Sequence, residues 1–165
     1  MAKTVFAGVA VLCFVAVLAA EAGGIPREGK HTGMNVMGGT FQVVPLGKDQ
    51  ARGMYDVSGV CLGEGGLLHF ASVRCIGGMT ILNGAWDDEA GSCIYTRPDG
   101  DQAFSSYKAS GKVGGEARGS WTYLGGTGKL AGLTGSGEFT RQGARPAAPG
   151  TSQSVSRTTG SYRLP

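Results

Sequence analysis

The sequence is poor in the side chains on which most catalytic and metal-binding motifs depend. Only two histidines, His31 and His69, and four cysteines occur among its 165 residues. It contains no Cys-x-x-Cys pair and no Gly-x-Ser-x-Gly motif. Neither a zinc site nor the nucleophile of an esterase is therefore indicated. We predict that the protein uses no metal and no cofactor.

Clustered charge of one sign is also missing. The formal net charge is +3, and the basic residues are spread along the chain without forming a run. A nucleic-acid-binding domain normally concentrates Lys and Arg on one face or along one element. The sequence thus predicts no nucleic-acid partner.

Long stretches suited to α-helix are scarce after the first 22 residues. The chain contains 31 glycines, and glycine destabilises a helix interior by about 1 kcal/mol relative to alanine. Few windows of three helical turns are free of glycine. Aromatic and β-branched residues are interleaved with the glycines, which favours strands over disorder. We therefore predict an all-β chain.

The N-terminus has the pattern of a secretory signal peptide. Lys3 is followed by an apolar run over residues 5–18 and by Ala-Glu-Ala at 20–22. The apolar run is short for a membrane span, and Ala-x-Ala is typical of a cleavage site. We predict a signal peptide at 1–22, a secreted or periplasmic location, and no transmembrane anchor after cleavage. A retained N-terminal anchor is the alternative.

Three cysteines remain after the predicted cleavage, and turn geometry favours one of their three pairings. Asn83-Gly84 is a strong signal for a two-residue hairpin turn. Folding the chain back at Gly84 places Cys75 opposite Cys93. An exported protein can oxidise such a pair. We predict a Cys75–Cys93 disulfide and a free, buried Cys61.

The mature chain divides into a short N-terminal segment and one β domain. We expect residues 23–40 to be flexible and residues 41–165 to form the domain, with a Pro- and Gly-rich loop over 143–154. Eight or nine short strands follow one another at the spacing of a sandwich or barrel. An antiparallel barrel leaves no exposed edge. We predict a single antiparallel β-barrel of about eight strands. The predicted strands cover 41–44, 55–62, 67–76, 79–82, 92–97, 102–108, 116–123, 133–141 and 157–164.

The glycine-rich stretch 123–139 resembles a phosphate-binding loop only superficially. The P-loop pattern would need glycine at Tyr123 and Ser or Thr at Leu130. Residues 126–131 fit Gly-x-Gly-x-x-Ala, but further glycines follow where a nucleotide site requires a helix. We interpret the glycines as structural, the first three in a turn and the last two at close backbone contacts. They are Gly125, Gly126, Gly128, Gly132 and Gly135.

The same stretch carries a family resemblance. Residues 125–130, Gly-Gly-Thr-Gly-Lys-Leu, resemble the signature of plant dirigent proteins and a related element of allene oxide cyclases. Together with Asp-Gly-Asp at 99–101, they also resemble small secreted bacterial proteins of unknown role. The resemblance implies an eight-stranded antiparallel barrel and, from the plant proteins, a possible homo-oligomer. It transfers no catalytic residue, because the motifs that carry those residues are not found here.

Candidate site residues are aromatic. We expect an apolar cavity lined by aromatic side chains, with ordinary core packing as the alternative for each of them. These candidates are Tyr95, Phe104, Tyr107, Trp121 and Tyr123. The acidic run 87–89 could attract calcium, but a solvated loop is the favoured interpretation.

Three function hypotheses remain open. The first is an exported barrel that binds a small apolar ligand or a protein partner and is not an enzyme. The second is a dirigent- or cyclase-like isomerase that acts within the barrel, and the third is a structural envelope protein. A deep cavity with an acid or a tyrosine near an apolar wall would favour the enzyme.

Overall fold

The computed structural model describes residues 24–63 and 66–165, and it is a closed barrel of eight strands. Each strand runs antiparallel to the next, and the last pairs with the first. The strands are Glu28–Gly47 (β1), Gln50–Gly63 (β2), Ser72–Leu82 (β3), Ala85–Thr96 (β4), Gln102–Lys112 (β5), Glu116–Gly126 (β6), Thr134–Gly143 (β7) and Thr151–Arg163 (β8). The predicted all-β, eight-stranded antiparallel barrel is confirmed. The expected signal peptide at 1–22 lies outside the described residues.

The two ends of the barrel differ, and we name them by their turns. The mouth carries the turns at 48–49, 83–84, 113–115 and 144–150. The base carries the segments 66–71, 97–101 and 127–133, the last with a short 3₁₀ turn at Gly128–Leu130. None of the described residues belongs to a helix long and apolar enough to cross a membrane.

The base is filled by an apolar plug. Its members come from the β2–β3 and β6–β7 connections, and each is at most 4% exposed: Leu67, Leu68, Ala71, Leu130 and Leu133. We predicted a strand from residue 67, but β3 begins at Ser72. A short apolar run does not distinguish a buried strand from a buried turn, and here residues 67–71 fold over the end of the barrel.

The first strand is longer than the sequence indicated. The segment 23–40 was expected to be flexible, yet β1 begins at Glu28 and pairs along its length with β2 and β8. Its glycines allow close strand contact, since a Cβ at Gly39 would collide with the backbone of Asp56. Likewise, Thr151–Arg163 forms β8, so the loop predicted over 143–154 ends at residue 150.

The predicted disulfide is confirmed. Cys75 on β3 lies directly opposite Cys93 on β4, and the two form a disulfide. The hairpin turns at Asn83 and Gly84, whose φ angles are +50° and +76°, as expected for a two-residue turn with both residues in the left-handed region. Cys61 is a free thiol and is 1% exposed.

The glycine-rich stretch connects β6 to β7 at the base. Gly128 has a φ of +54°, and a Cβ there would collide with the carboxylate of Asp101. Gly126 is not among the positive-φ glycines. Gly126 instead allows close packing, because a Cβ at this position would lie 2.7 Å from Leu130 Cβ. Gly132 has a φ of +75°, so the roles expected for Gly126 and Gly132 are exchanged. Positive φ also occurs at Gly125 and Gly135.

Candidate ligand-binding cavity

The mouth half of the barrel encloses a cavity of about 570 Å³. This volume lies within the range of about 300–1,000 Å³ that is typical of small-molecule sites. The cavity extends from the middle of the barrel to the mouth, where residues of the 113–115 and 144–150 turns border it. Its walls are largely apolar and include Met37, Phe41, Val57, Met79 and Phe139.

Three of the five predicted aromatic residues line this cavity, and two do not. Tyr95, Tyr107 and Trp121 border it and are buried. Tyr123 also faces inward but lies below the cavity, towards the base. Phe104 lies on the outer face of β5, because its neighbours Ala103 and Ser105 are the buried ones. The prediction for Phe104 was wrong, and strand alternation explains why: Phe104 and Tyr107 are three residues apart and cannot share a face.

A buried carboxylate lies behind the cavity wall and is bonded to three residues that line the cavity. The Glu89 side chain is 0% exposed. Arg141 donates to both of its oxygens, Nη1 to Oε1 at 2.8 Å and Nη2 to Oε2 at 2.6 Å. Trp86 Nε1 donates to Oε2 at 2.9 Å, and the Tyr55 hydroxyl donates to Oε1 at 2.7 Å. Each carboxylate oxygen therefore accepts two hydrogen bonds, and the buried charge is paired as burial requires.

Glu89 is the buried residue next to the cavity that the sequence interpretation missed. We expected the acidic run 87–89 to be a solvated loop, but only Asp87 and Asp88 are exposed. The strand pairing shifts between Trp86 and Glu89, and Glu89 then shares the inward face with Cys93 and Tyr95. The signal was present, since residues 89, 91, 93 and 95 follow the period of two of one strand face.

Two phenols extend this cluster into the cavity. The hydroxyls of Tyr55 and Tyr107 are hydrogen-bonded. Because Tyr55 donates its proton to Glu89, Tyr107 is the donor to Tyr55. Burial, reinforced by the Glu89 carboxylate, raises the pKa of Tyr107 to about 12. Burial, and then the neighbouring Tyr107 and Glu89, raise the pKa of Tyr55 further above its ordinary value. Both phenols are protonated near neutral pH.

A second polar network lies under the cavity floor. Thr158 donates its hydroxyl to the Gly33 carbonyl at 3.2 Å. His31 Nε2 lies 3.1 Å from the Thr158 oxygen and must then be the donor, which leaves Nδ1 to accept from the Tyr123 hydroxyl at 3.3 Å. Burial lowers the pKa of His31 to about 4. His31 is therefore a neutral histidine with both nitrogens hydrogen-bonded.

The charges that border the cavity are cationic. Lys112, Arg141 and Arg145 line its mouth, and no Asp or Glu of the described chain lines it. Arg141 is paired with Glu89. Lys112 and Arg145 have no carboxylate within 4.0 Å among residues 24–63 and 66–165. The rim of an otherwise apolar cavity thus carries two unpaired positive charges.

No protein family, no curated protein and no solved structure matches this chain.

Proposed function

We propose that this protein is an exported, non-enzymatic β-barrel that binds a small apolar molecule in its cavity. The observation that carries the proposal is the cavity of about 570 Å³, which is open at the mouth and has aliphatic and aromatic walls. Apolar area removed from water supplies the binding free energy, at about 25 cal/mol per Å² before the costs of association.

Export and family likeness belong to the same proposal. The signal-peptide pattern at 1–22 supports a secreted or periplasmic location, and the Cys75–Cys93 disulfide fits an oxidising compartment. The resemblance of residues 125–130 to dirigent proteins and allene oxide cyclases supports a ligand-holding barrel and favours a homo-oligomer. Light scattering of the purified protein measures the oligomeric state.

Binding is preferred to isomerase activity because the buried carboxylate is fully engaged. Glu89 accepts four hydrogen bonds and so has no free position to act as a base towards a ligand. The two phenols beside it hold their protons near neutral pH. General acid–base catalysis requires a group whose pKa lies near the working pH.

The test is titration with N-phenyl-1-naphthylamine, a neutral apolar dye whose fluorescence rises in apolar surroundings. We expect saturable binding of one dye per barrel. Ser154→Trp places a large side chain at the cavity mouth, because Ser154 is half-buried and lines the cavity. We expect this variant to lose binding.

The matched control is Val155→Trp, which adds the same side chain at the adjacent, exposed position on the outer face. It should bind the dye as the wild type does. Absence of binding to the wild type, or equal losses in the two variants, would contradict a ligand site inside the barrel.

A further inference from the structure

The cavity opens between side chains that carry only positive charge. Lys112, at the end of β5, and Arg145, in the 144–150 turn, both line the mouth and are exposed to solvent. Arg141 lines the cavity as well, but Glu89 compensates its charge. No other Lys or Arg, and no Asp or Glu, of the described chain lines the cavity. A bound molecule therefore meets two uncompensated positive charges at the entrance.

Acidic side chains around the mouth do not compensate these two charges. Asp88 lies 3.6 Å from Arg52, and Glu116 lies 2.6 Å from Arg118. Asp49 is exposed in the turn between β1 and β2. None of these three carboxylates lines the cavity, and no carboxylate of the described residues lies within 4.0 Å of either cation at the entrance. The positive charge at the entrance is thus available to a ligand.

The cavity below the mouth suits an apolar group and not an ion. Its walls are largely apolar there and include Met37 and Val57. An unpaired ion moved to this depth would lose its hydration without gaining a partner. At the mouth the same ion keeps its contact with water and lies beside Lys112 and Arg145. A charged ligand therefore binds with its apolar part inside the barrel and its charged group at the entrance.

We propose that the ligand is an amphiphilic organic anion whose apolar body fills the cavity and whose carboxylate or sulfonate group lies at the mouth beside Lys112 and Arg145. This inference rests on the proposed function, because it names the class of ligand that the same cavity accepts. A neutral ligand of equal size leaves both cations without a partner, and a cationic ligand is repelled by them. Each cation contributes only the modest free energy of an exposed pair, so together they favour the anion by about fivefold.

The test compares three probes that share a naphthalene ring and differ in charge: 2-naphthaleneacetate, its neutral amide 2-naphthaleneacetamide, and the cation 2-(2-naphthyl)ethylammonium. Affinities are measured at pH 7 and low ionic strength by displacement of N-phenyl-1-naphthylamine. We expect wild-type protein to bind the anion about fivefold more tightly than the amide, and the cation least tightly. The double variant Lys112→Gln/Arg145→Gln should reduce the preference for the anion over the amide to less than about twofold.

The matched control is Lys108→Gln/Arg157→Gln, which removes two positive charges from exposed positions on the outer face of β5 and β8 and should keep the preference. Thermal melting checks the fold of each variant. An equal loss of preference in the control would overturn the inference, because net charge and not the mouth would then attract the anion.

The wild-type protein alone also decides the question. High ionic strength should remove its preference for the anion, because exposed charges are screened, and a preference that persists contradicts the inference. If wild type binds the dye but binds the amide at least as tightly as the anion, or binds neither, the inference is overturned while the proposed function stands. If the dye and all three probes fail to bind, both are overturned.

Discussion

The two halves of the barrel interior are built on different principles. The base is packed with leucine side chains that are at most 4% exposed, such as Leu68 and Leu130. The mouth half contains a cavity lined in part by Arg141, whose guanidinium is paired with the buried carboxylate of Glu89 behind it. Close packing of aliphatic side chains stabilises a fold, whereas a cavity and a buried ion pair usually do not. We infer that the base holds the barrel closed so that the mouth half can remain open for a ligand.

The largest effect is expected from breaking the Glu89–Arg141 pair. Glu89→Gln leaves the guanidinium of Arg141 without its counter-charge, and the Arg141 side chain is only 20% exposed. Removing one partner of a buried pair typically lowers the free energy of unfolding by about 3–5 kcal/mol. We expect a loss near the lower limit, because the guanidinium retains some contact with solvent. Chemical denaturation measures it.

The double variant Glu89→Gln/Arg141→Met sharpens this prediction. Removing both charges eliminates the unpaired ion, so the double variant should recover at least half of the lost stability. Additive losses in the double variant would show that the pair is not coupled, and that the mouth half does not depend on it.

Effects of similar size or smaller are expected from shortening side chains in each half. Leu130→Ala creates a new cavity in the base and should lower the free energy of unfolding by about 3 kcal/mol. Val57 is half-buried and lines the existing cavity, so Val57→Ala only enlarges that cavity. This substitution should lower the free energy of unfolding by about 1 kcal/mol. Denaturation curves compare the two. Similar losses would contradict the contrast between a packed base and an open mouth half.

Lowering the pH should destabilise the folded barrel through His31, which lies near its base. Burial lowers its folded-state pKa to about 4 from 6.5, so the unfolded chain binds more protons between these values. Stability therefore falls as the pH decreases from about 6.5 to about 4, by up to about 3 kcal/mol. His31→Gln removes the titrating group, and its unfolding free energy should change less over this interval. Equal pH slopes for wild type and variant would exclude His31 as the cause.

Sequence patterns were most informative where local chemistry determines the structure. Asn83-Gly84 determines a hairpin turn, and the position of that turn predicts that Cys75 and Cys93 pair, as observed. The early part of β1 was missed because its glycines show no alternation of polar and apolar side chains. Its pairing with both β2 and β8 depends on contacts distant in sequence, which no local window contains.

The cavity shows the same division between local and distant information. The inward positions of Tyr95 and Tyr107 follow from strand alternation. Glu89 looked solvated because an acid next to two others is normally exposed, and only Arg141, 52 residues away in sequence, explains its burial. Trp121 was among the aromatic residues predicted to line the cavity, whereas Asn35 carried no sequence signal. That both have a buried polar atom without a hydrogen-bond partner can be recognised only in three dimensions.

The smallest effect concerns the positive charges at the mouth. The dye 8-anilinonaphthalene-1-sulfonate resembles N-phenyl-1-naphthylamine but carries a negative charge. Lys112 and Arg145 line the mouth and are exposed, so each contributes only the weak attraction of a solvated pair. We expect Lys112→Gln and Arg145→Gln each to weaken sulfonate binding by about two- to fivefold at low salt, and to leave the neutral dye unaffected.

Salt and a charge control complete this test. Raising ionic strength should weaken binding of the sulfonate and reduce the difference between variants, because exposed charges are screened. Lys108→Gln removes a charge from the outer face of β5, where the side chain is exposed, and should behave as the wild type. If Lys112→Gln weakens the binding of both dyes equally, the mouth influences binding through its shape rather than its charge. The contrast between the two halves would then be one of packing alone.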